Sequence, residues 1–358
     1  MGRTKSKSKK STAASAKQSN GVNGHDEQPQ PTVEALLLAA AHAIARCDFE
    51  EAKQHFIESV QHAASLPDPS PAPHLYLAQL STPEESLVHF GNALTILQAK
   101  LAAIEQAKLG QDSNGGSEAE VEEEHELRRS ASRALVGMTE LYLTDLCFEP
   151  DAEANCEKHL SLAAEIDSTD PEVYQTLASV RLSQQRPTEA KDAAIKGWSL
   201  WRDLGPEDPA FPPASARLTL AKILIELELY ESALEVLNLL EQEDDEDQEM
   251  WYLSGWAWHL LGESRAGTSS EATSDEDEDE RPETQAECWS ESKLCLENYM
   301  RLEELDPEQS DPDQLAHVKE LLAKLDAAGV VASAGREEEG DEWVDDEDDE
   351  DDEDAMDE

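Results

Sequence analysis

A spacing constrains this chain more than any other feature. A bulky residue and a small one lie within a helical turn of each other; an Ala follows sixteen positions after the first bulky site, and a second bulky residue four later. Leu36, Ala40, Ala52 and Phe56 mark the pattern once, Tyr174, Leu177, Ala178 and Ala190 mark it again, and Leu220, Ala221, Leu224, Ala233, Leu237 and Leu240 mark a third copy. The spacing has a packing reason: a small residue on each of two helices lets their axes approach, and the bulky ones fill the gap between successive pairs. Apolar residues recur at three and four over 32–65, 75–108, 126–147, 152–167, 171–204 and 213–240, and no strand-like alternation interrupts them. The expected fold is all-α, a tetratricopeptide-like helical-repeat solenoid of about six helix pairs with a capping helix near "DPDQLAHVKELLAKL".

Some positions depart from the pattern. Arg181 stands where a bulky apolar residue is usual, Ser254 replaces a Leu, and the pair around "LYLAQLSTPEESLVHFGNAL" is degenerate. "EMWYLSGWAWHLLGE" and "CWSESKLCLENYMRLEELDP" read as the two helices of one pair, with Trp251, Gly255 and Trp258 on the first and Cys295, Tyr299 and Leu302 on the second. The acidic run "SDEDEDE" is therefore an insertion inside a repeat, tolerable because loop-closure entropy grows slowly with length. The expected organisation is a disordered basic tail over 1–30, N-terminal repeats over 31–108 and an acidic Gly/Ser loop over 109–125. Repeats and the capping helix follow over 126–327 with the insertion at 263–284, and a disordered acidic tail closes the chain over 328–358.

Charge narrows the partners. With 81 Asp and Glu against 28 Lys and Arg the formal net charge is -53, which repels phosphate and draws cationic molecules across a Debye length of about 8 Å. Direct nucleic-acid binding is not expected, and a basic protein partner is. The longest apolar stretch, "ALLLAAAHAIA", is far short of the roughly 20 residues a membrane span needs and carries His42, and no secretory leader pattern opens the chain. A soluble intracellular protein without a membrane partner is expected. The basic arm "MGRTKSKSKK" reads either as a nuclear-import signal or as a solvating tail. The five cysteines form no CxxC pair and have no His at ligand spacing, so they read as small buried apolar side chains, and no metal or other cofactor is implied.

No catalytic constellation is present: there is no phosphate-cradling Gly loop, GxSxG or HExxH, and the carboxylates lie in low-complexity runs, so enzymatic activity is not expected. In a helical-repeat scaffold the first helix of each pair lines a concave groove. Residues one and five positions after the first bulky site should face it: Leu37 and Ala41, Gln175 and Ser179, Leu218 and Lys222, Tyr252 and Trp256, with Leu37 and Leu218 equally suited to the core. A clamp for the carboxylate terminus of heat-shock chaperones needs Lys and Asn at several of these sites, and only Lys222 is of that kind.

"ELYLTDLCFEPDAEANCEKHLSLAAEIDSTDPEVYQTLASVRLSQQRPTEAKDAA", followed by "WYLSGWAWHLLGE" and an acidic tail, resembles the fungal assembly chaperones of large-subunit ribosomal protein four over about residues 126–325. The resemblance implies a solenoid that captures the newly made ribosomal protein through its long basic internal loop, keeps it soluble and accompanies it from cytoplasm to nucleus. An import receptor and the pre-ribosome are further implied partners. Such a loop is basic, extended and unfolded without its RNA, so an acidic groove with aromatic walls suits it. On this reading the candidate client-binding residues are Tyr142, Asp145, Glu172, Gln175, Ser179, Lys222, Glu226, Tyr252 and Trp256. The alternative is a histone chaperone of the acidic tetratricopeptide type, in which an acidic insertion also interrupts a repeat.

Overall fold

Helix ends in this chain are written by short polar side chains. In a computed structural model that describes residues 31–64, 66–110, 117–208, 210–266, 284–307 and 311–333, Asp48, Asp170, Asp247 and Asp311 each accept a backbone N–H at a helix start, and Ser117 and Thr284 form capping boxes. The described residues form thirteen helices and no strand. The chain divides into two compact units, Met1–Pro73 and His74–Glu358.

The first unit holds α1 (Val33–Ala45) and α2 (Phe49–Ala63), packed as an antiparallel pair through Leu36, Ala40, Ala52 and Phe56, all buried. The boundary falls within the short α3 (Ala72–Gln79), and the second unit continues through α4 (Pro83–Gly110), α5 (Glu118–Leu143), α6 (Ala152–Ile166), α7 (Pro171–Ser183), α8 (Pro187–Ser199), α9 (Ala214–Glu226), α10 (Tyr230–Glu243), α11 (Gln248–Ser264), α12 (Gln285–Leu305) and α13 (Pro312–Ala327). The pairs α5/α6, α7/α8, α9/α10 and α11/α12 each pack closely, and each pair touches the next. Two buried clusters run through them, one from α5 to α7 and one from α7 to α13, with Leu177 packed against both.

The first helices α1, α7 and α9 end identically. Cys47, Gln185 and Glu228 adopt φ of 58°, 57° and 60°, each five residues before the repeat Ala, and the following N–H bonds back to the carbonyl of Ala43, Arg181 or Leu224. This is a Schellman end built on residues other than Gly, which is why no glycine marks it in the sequence. In the α11/α12 pair the insertion takes the place of this turn, and the two helices still pack on each other. Their approach is close at Gly255 and Gly262, where a Cβ would come within 2.6 Å of Leu296 and 2.5 Å of Trp289.

Several expectations change. The loop expected over 109–125 is helical from Glu118, because the Ser117 capping box starts α5 and the acids that follow sit at a helix N-terminus, where negative charge is favourable. Glu124 pairs there with Lys108 of α4 and with Arg128. Cys156, Cys288 and Cys295 are buried as expected, whereas Cys47 and Cys147 lie exposed in interhelical turns. Within the stretch Pro83–Leu109 of α4 an 18-residue window reaches a mean hydropathy of 1.3, enough to cross a membrane by length and composition, although polar residues such as Gln98 and Lys100 interrupt it. Of the disordered tail expected over 328–358, residues 328–333 are instead docked on α12, where Ser290 donates to the Val331 carbonyl at 2.6 Å and Lys293 to the Val330 carbonyl at 3.0 Å; the rest of that tail, the tail over 1–30 and the acidic run 274–283 lie outside the described residues.

The departures from the repeat are accommodated by pairing. Arg217 occupies a bulky site, 2% exposed, with its guanidinium over Phe211 at 4.6 Å, donating to the Pro212 carbonyl at 3.0 Å and paired with Glu243. Arg181 pairs with Glu157 on α6 and lies 3.3 Å from Glu189 on α8. Ser254 is buried against Met250, its hydroxyl 3.5 Å from the sulfur.

Candidate functional site

Because α5, α7, α9 and α11 touch in series, residues on their common side form one surface. On α7, Glu172, Gln175 and Ser179 recur at three and four and are half-buried, the Ser179 hydroxyl donating to the Gln175 carbonyl. On α9, Lys222 and Glu226 are four apart and exposed. On α11, Tyr252 and Trp256 are four apart, half-buried and stacked, with ring centroids 6.0 Å apart and planes at 26°.

Charged groups bridge these helices. Arg133 of α5 lies 3.4 Å from Glu172 and 3.5 Å from Asp170, whose carboxylate also accepts from Ser132 at 2.7 Å. Lys222 meets Glu249 of α11 at 2.7 Å. Burial pushes the Glu172 carboxyl above its ordinary range, Arg133 opposes the shift, and Asp170 and Glu140 add to it. Desolvation by the helices packed around it raises the Glu140 carboxyl too, although that side chain is itself exposed. This part of the surface thus holds carboxylates whose charge is under-compensated, a setting that favours an incoming cation.

At the far end, the turn before α11, the start of α11 and the start of α13 line an open cleft of about 510 Å³, formed by Asp244, Glu246, Asp247, Gln248, Glu249, Asp311 and Gln314. Burial raises the Tyr252 hydroxyl pKa, with further contributions from Tyr299 and from Asp311 of the cleft. His317 of α13 completes the aromatic group: its Nδ1 shares a hydrogen bond with the Tyr252 hydroxyl at 3.0 Å, and its ring meets Tyr252 and Trp256 edge-on at 5.8 and 5.7 Å.

Seven of the nine residues chosen from sequence lie on α7, α9 and α11 in this way. The other two belong to the α5–α6 junction: Tyr142 packs 5.9 Å from His159, and Asp145 is exposed in the turn after α5. Of the positions that suited groove and core equally, Leu218 is half-buried and packed against the main core, and Leu37 is half-buried within the first unit. Arg133, Glu140, Glu249 and His317 were not selected from sequence. Arg133 and Glu140 lie seven apart on α5, so helical spacing could have paired them; His317 carried no such signal, because α13 has no partner helix after it among the described residues. Among the described residues no group of three His, Cys, Asp or Glu is placed to hold a metal ion.

No protein-family model matches the chain. It is 30% identical over 320 residues to a Schizosaccharomyces pombe protein described as a probable assembly chaperone of rpl4, covering 89% of this chain and 87% of that one. A protein of the same description from Emericella nidulans is 44% identical over 130 residues, 36% of this chain and 34% of its own length. The solved structure of the assembly chaperone of RpL4, Acl4, superposes with a TM-score of 0.60 at 35% identity, covering 65% of this chain and 84% of that one. With that identity sustained over most of both chains and the same helical-repeat architecture, this chain belongs to the family of the rpl4 assembly chaperones.

Proposed function

We propose that this chain is a dedicated, non-enzymatic chaperone of ribosomal protein L4. It holds the client's extended basic loop against the first-helix surface of α7, α9 and α11, keeps L4 soluble, and escorts it from the cytoplasm to pre-ribosomes in the nucleus. Similarity to the S. pombe chaperone over 89% of the chain is the observation that carries the reading. The chemistry of the surface supports it: Glu172, Glu226 and Glu249 offer carboxylates, and Tyr252 and Trp256 offer ring faces, which together suit Lys and Arg side chains on an unfolded segment. The basic arm at residues 3–10 then serves nuclear import.

Co-expression with L4, with L4 lacking its internal loop, and with core histones tests the reading. The expected result is a soluble stoichiometric complex with intact L4, weakened strongly by loop deletion and absent with histones. Equal capture of L4 with and without the loop would remove the loop from the mechanism, and preferential capture of histones would overturn the assignment.

A further inference from the structure

The terminal helix α13 looks like a cap. Val318, Leu321 and Leu325 bury its inner face in the main core, and its outer face carries Lys319, Glu320 and Lys324. His317 fits neither role. It is half-buried at the edge of the helix, and its side chain reaches α11 rather than the core.

His317 touches both rings of the Tyr252–Trp256 stack and hydrogen-bonds the Tyr252 hydroxyl at 3.0 Å. A tyrosine ring on a helix surface has two soft torsions, and a bond at its far end removes most of that freedom. The ring is thereby held near-parallel to Trp256, at 26°. Near-parallel rings present a broad electron-rich face, the geometry that takes a cationic side chain. Other aromatic rings of the protein already carry one: Lys196 lies 4.1 Å over Tyr174, Arg202 4.1 Å over Trp198 and Arg217 4.6 Å over Phe211. Among the described residues no cation lies over Tyr252 or Trp256, while Asp311 contributes negative charge at the Tyr252 hydroxyl.

We infer that α13 is part of the client site: His317 is a positioning residue that sets Tyr252 against Trp256, so that the pair receives a Lys or Arg side chain of the client. The inference rests on the L4 reading and adds to it a residue outside the repeat pattern. Preorganisation of this kind raises affinity by lowering the ordering cost of binding.

A double-mutant cycle in L4 binding, measured by calorimetry on the full chain, tests it. Tyr252→Phe and His317→Phe each keep a ring and its apolar contacts and lose the shared hydrogen bond. Each should weaken L4 binding about three- to tenfold, as loss of one hydrogen bond implies. The double variant should bind no more weakly than the weaker single, because both remove the same interaction. Lys319→Ala, exposed on the same helix, should bind as the unaltered protein does. Thermal melts of all four identify any loss caused by unfolding, and His317→Gln, which keeps a hydrogen-bonding group for Tyr252, should restore most of the affinity. Unaltered affinity in both single variants, losses that multiply in the double, or no rescue by His317→Gln would each overturn the role of His317 while leaving L4 binding intact. Failure of the unaltered chain to bind L4 would instead overturn the functional assignment, and this inference with it.

Discussion

Trp256 shows how one side chain serves two purposes. It packs against the main core and is still half-exposed beside Tyr252, so truncation removes both packing and an interaction surface. Aromatic anchors of this kind dominate binding energies, and Trp256→Ala should cost about 1 to 3 kcal/mol of L4 affinity. Calorimetry with L4, paired with a thermal melt, checks the expectation; unchanged affinity with a much lowered melting temperature would assign Trp256 to the core alone. Arg217 is the opposite case at the same scale. A guanidinium fills a bulky apolar site because Phe211, the Pro212 carbonyl and Glu243 surround it, and an unpaired charge there would be strongly unfavourable.

Elements of this protein are joined by turns that cost conformational energy. Gln185, exposed between α7 and α8, holds φ of 57°, a region that penalises a Cβ. Gln185→Gly should raise stability by about 1 kcal/mol in urea titration, since the turn geometry suits Gly. No change would mean that the surrounding packing absorbs the strain. The α4–α5 pair is held differently, by Lys108 of α4 on Glu124 of α5, whose carboxylate also takes Arg128 one turn along its own helix. Hydrogen bonds from these two groups lower the Glu124 pKa. A carboxyl lowered in the folded state stabilises it above the unfolded pKa of about 4.3 and loses that contribution as pH falls through the folded value. The unaltered protein should therefore exceed Glu124→Gln in stability at pH 7, with the gap closing below about pH 4. A gap that is constant with pH would show that the charge on Glu124 has no part in joining the helices.

For the molecule as a whole, charge acts at longer range than any contact. Residues 274–283 and 337–358 are dominated by Asp and Glu, and the first of these segments links the packed helices α11 and α12. Exposed charges contribute little specific affinity each and fade with ionic strength, so their expected effect is on capture rate. Deleting both segments should slow L4 association strongly at low salt, change dissociation only modestly, and increase precipitation of L4 with RNA. Stopped-flow association rates that match with and without the segments would remove the acidic runs from client capture.

Helix content, pairing and most of the core were legible in the sequence, because helical periodicity and capping are local. Ala40, Ala52, Phe56, Ala178, Ala190, Leu224, Ala233 and Leu237, chosen by spacing alone, are all buried. The face carrying Gln175, Lys222, Tyr252 and Trp256 followed from the same period. The start of α5 at Glu118 was legible only in part, since the capping box competes with an acidic, Gly/Ser-rich context. Other features depend on which helices meet. Arg217 finding Glu243, Arg133 finding Glu172, and His317 reaching back to Tyr252 join residues 26, 39 and 65 positions apart. No local pattern encodes such pairs, because each arises only after helix packing has fixed the distance between side chains remote in the chain.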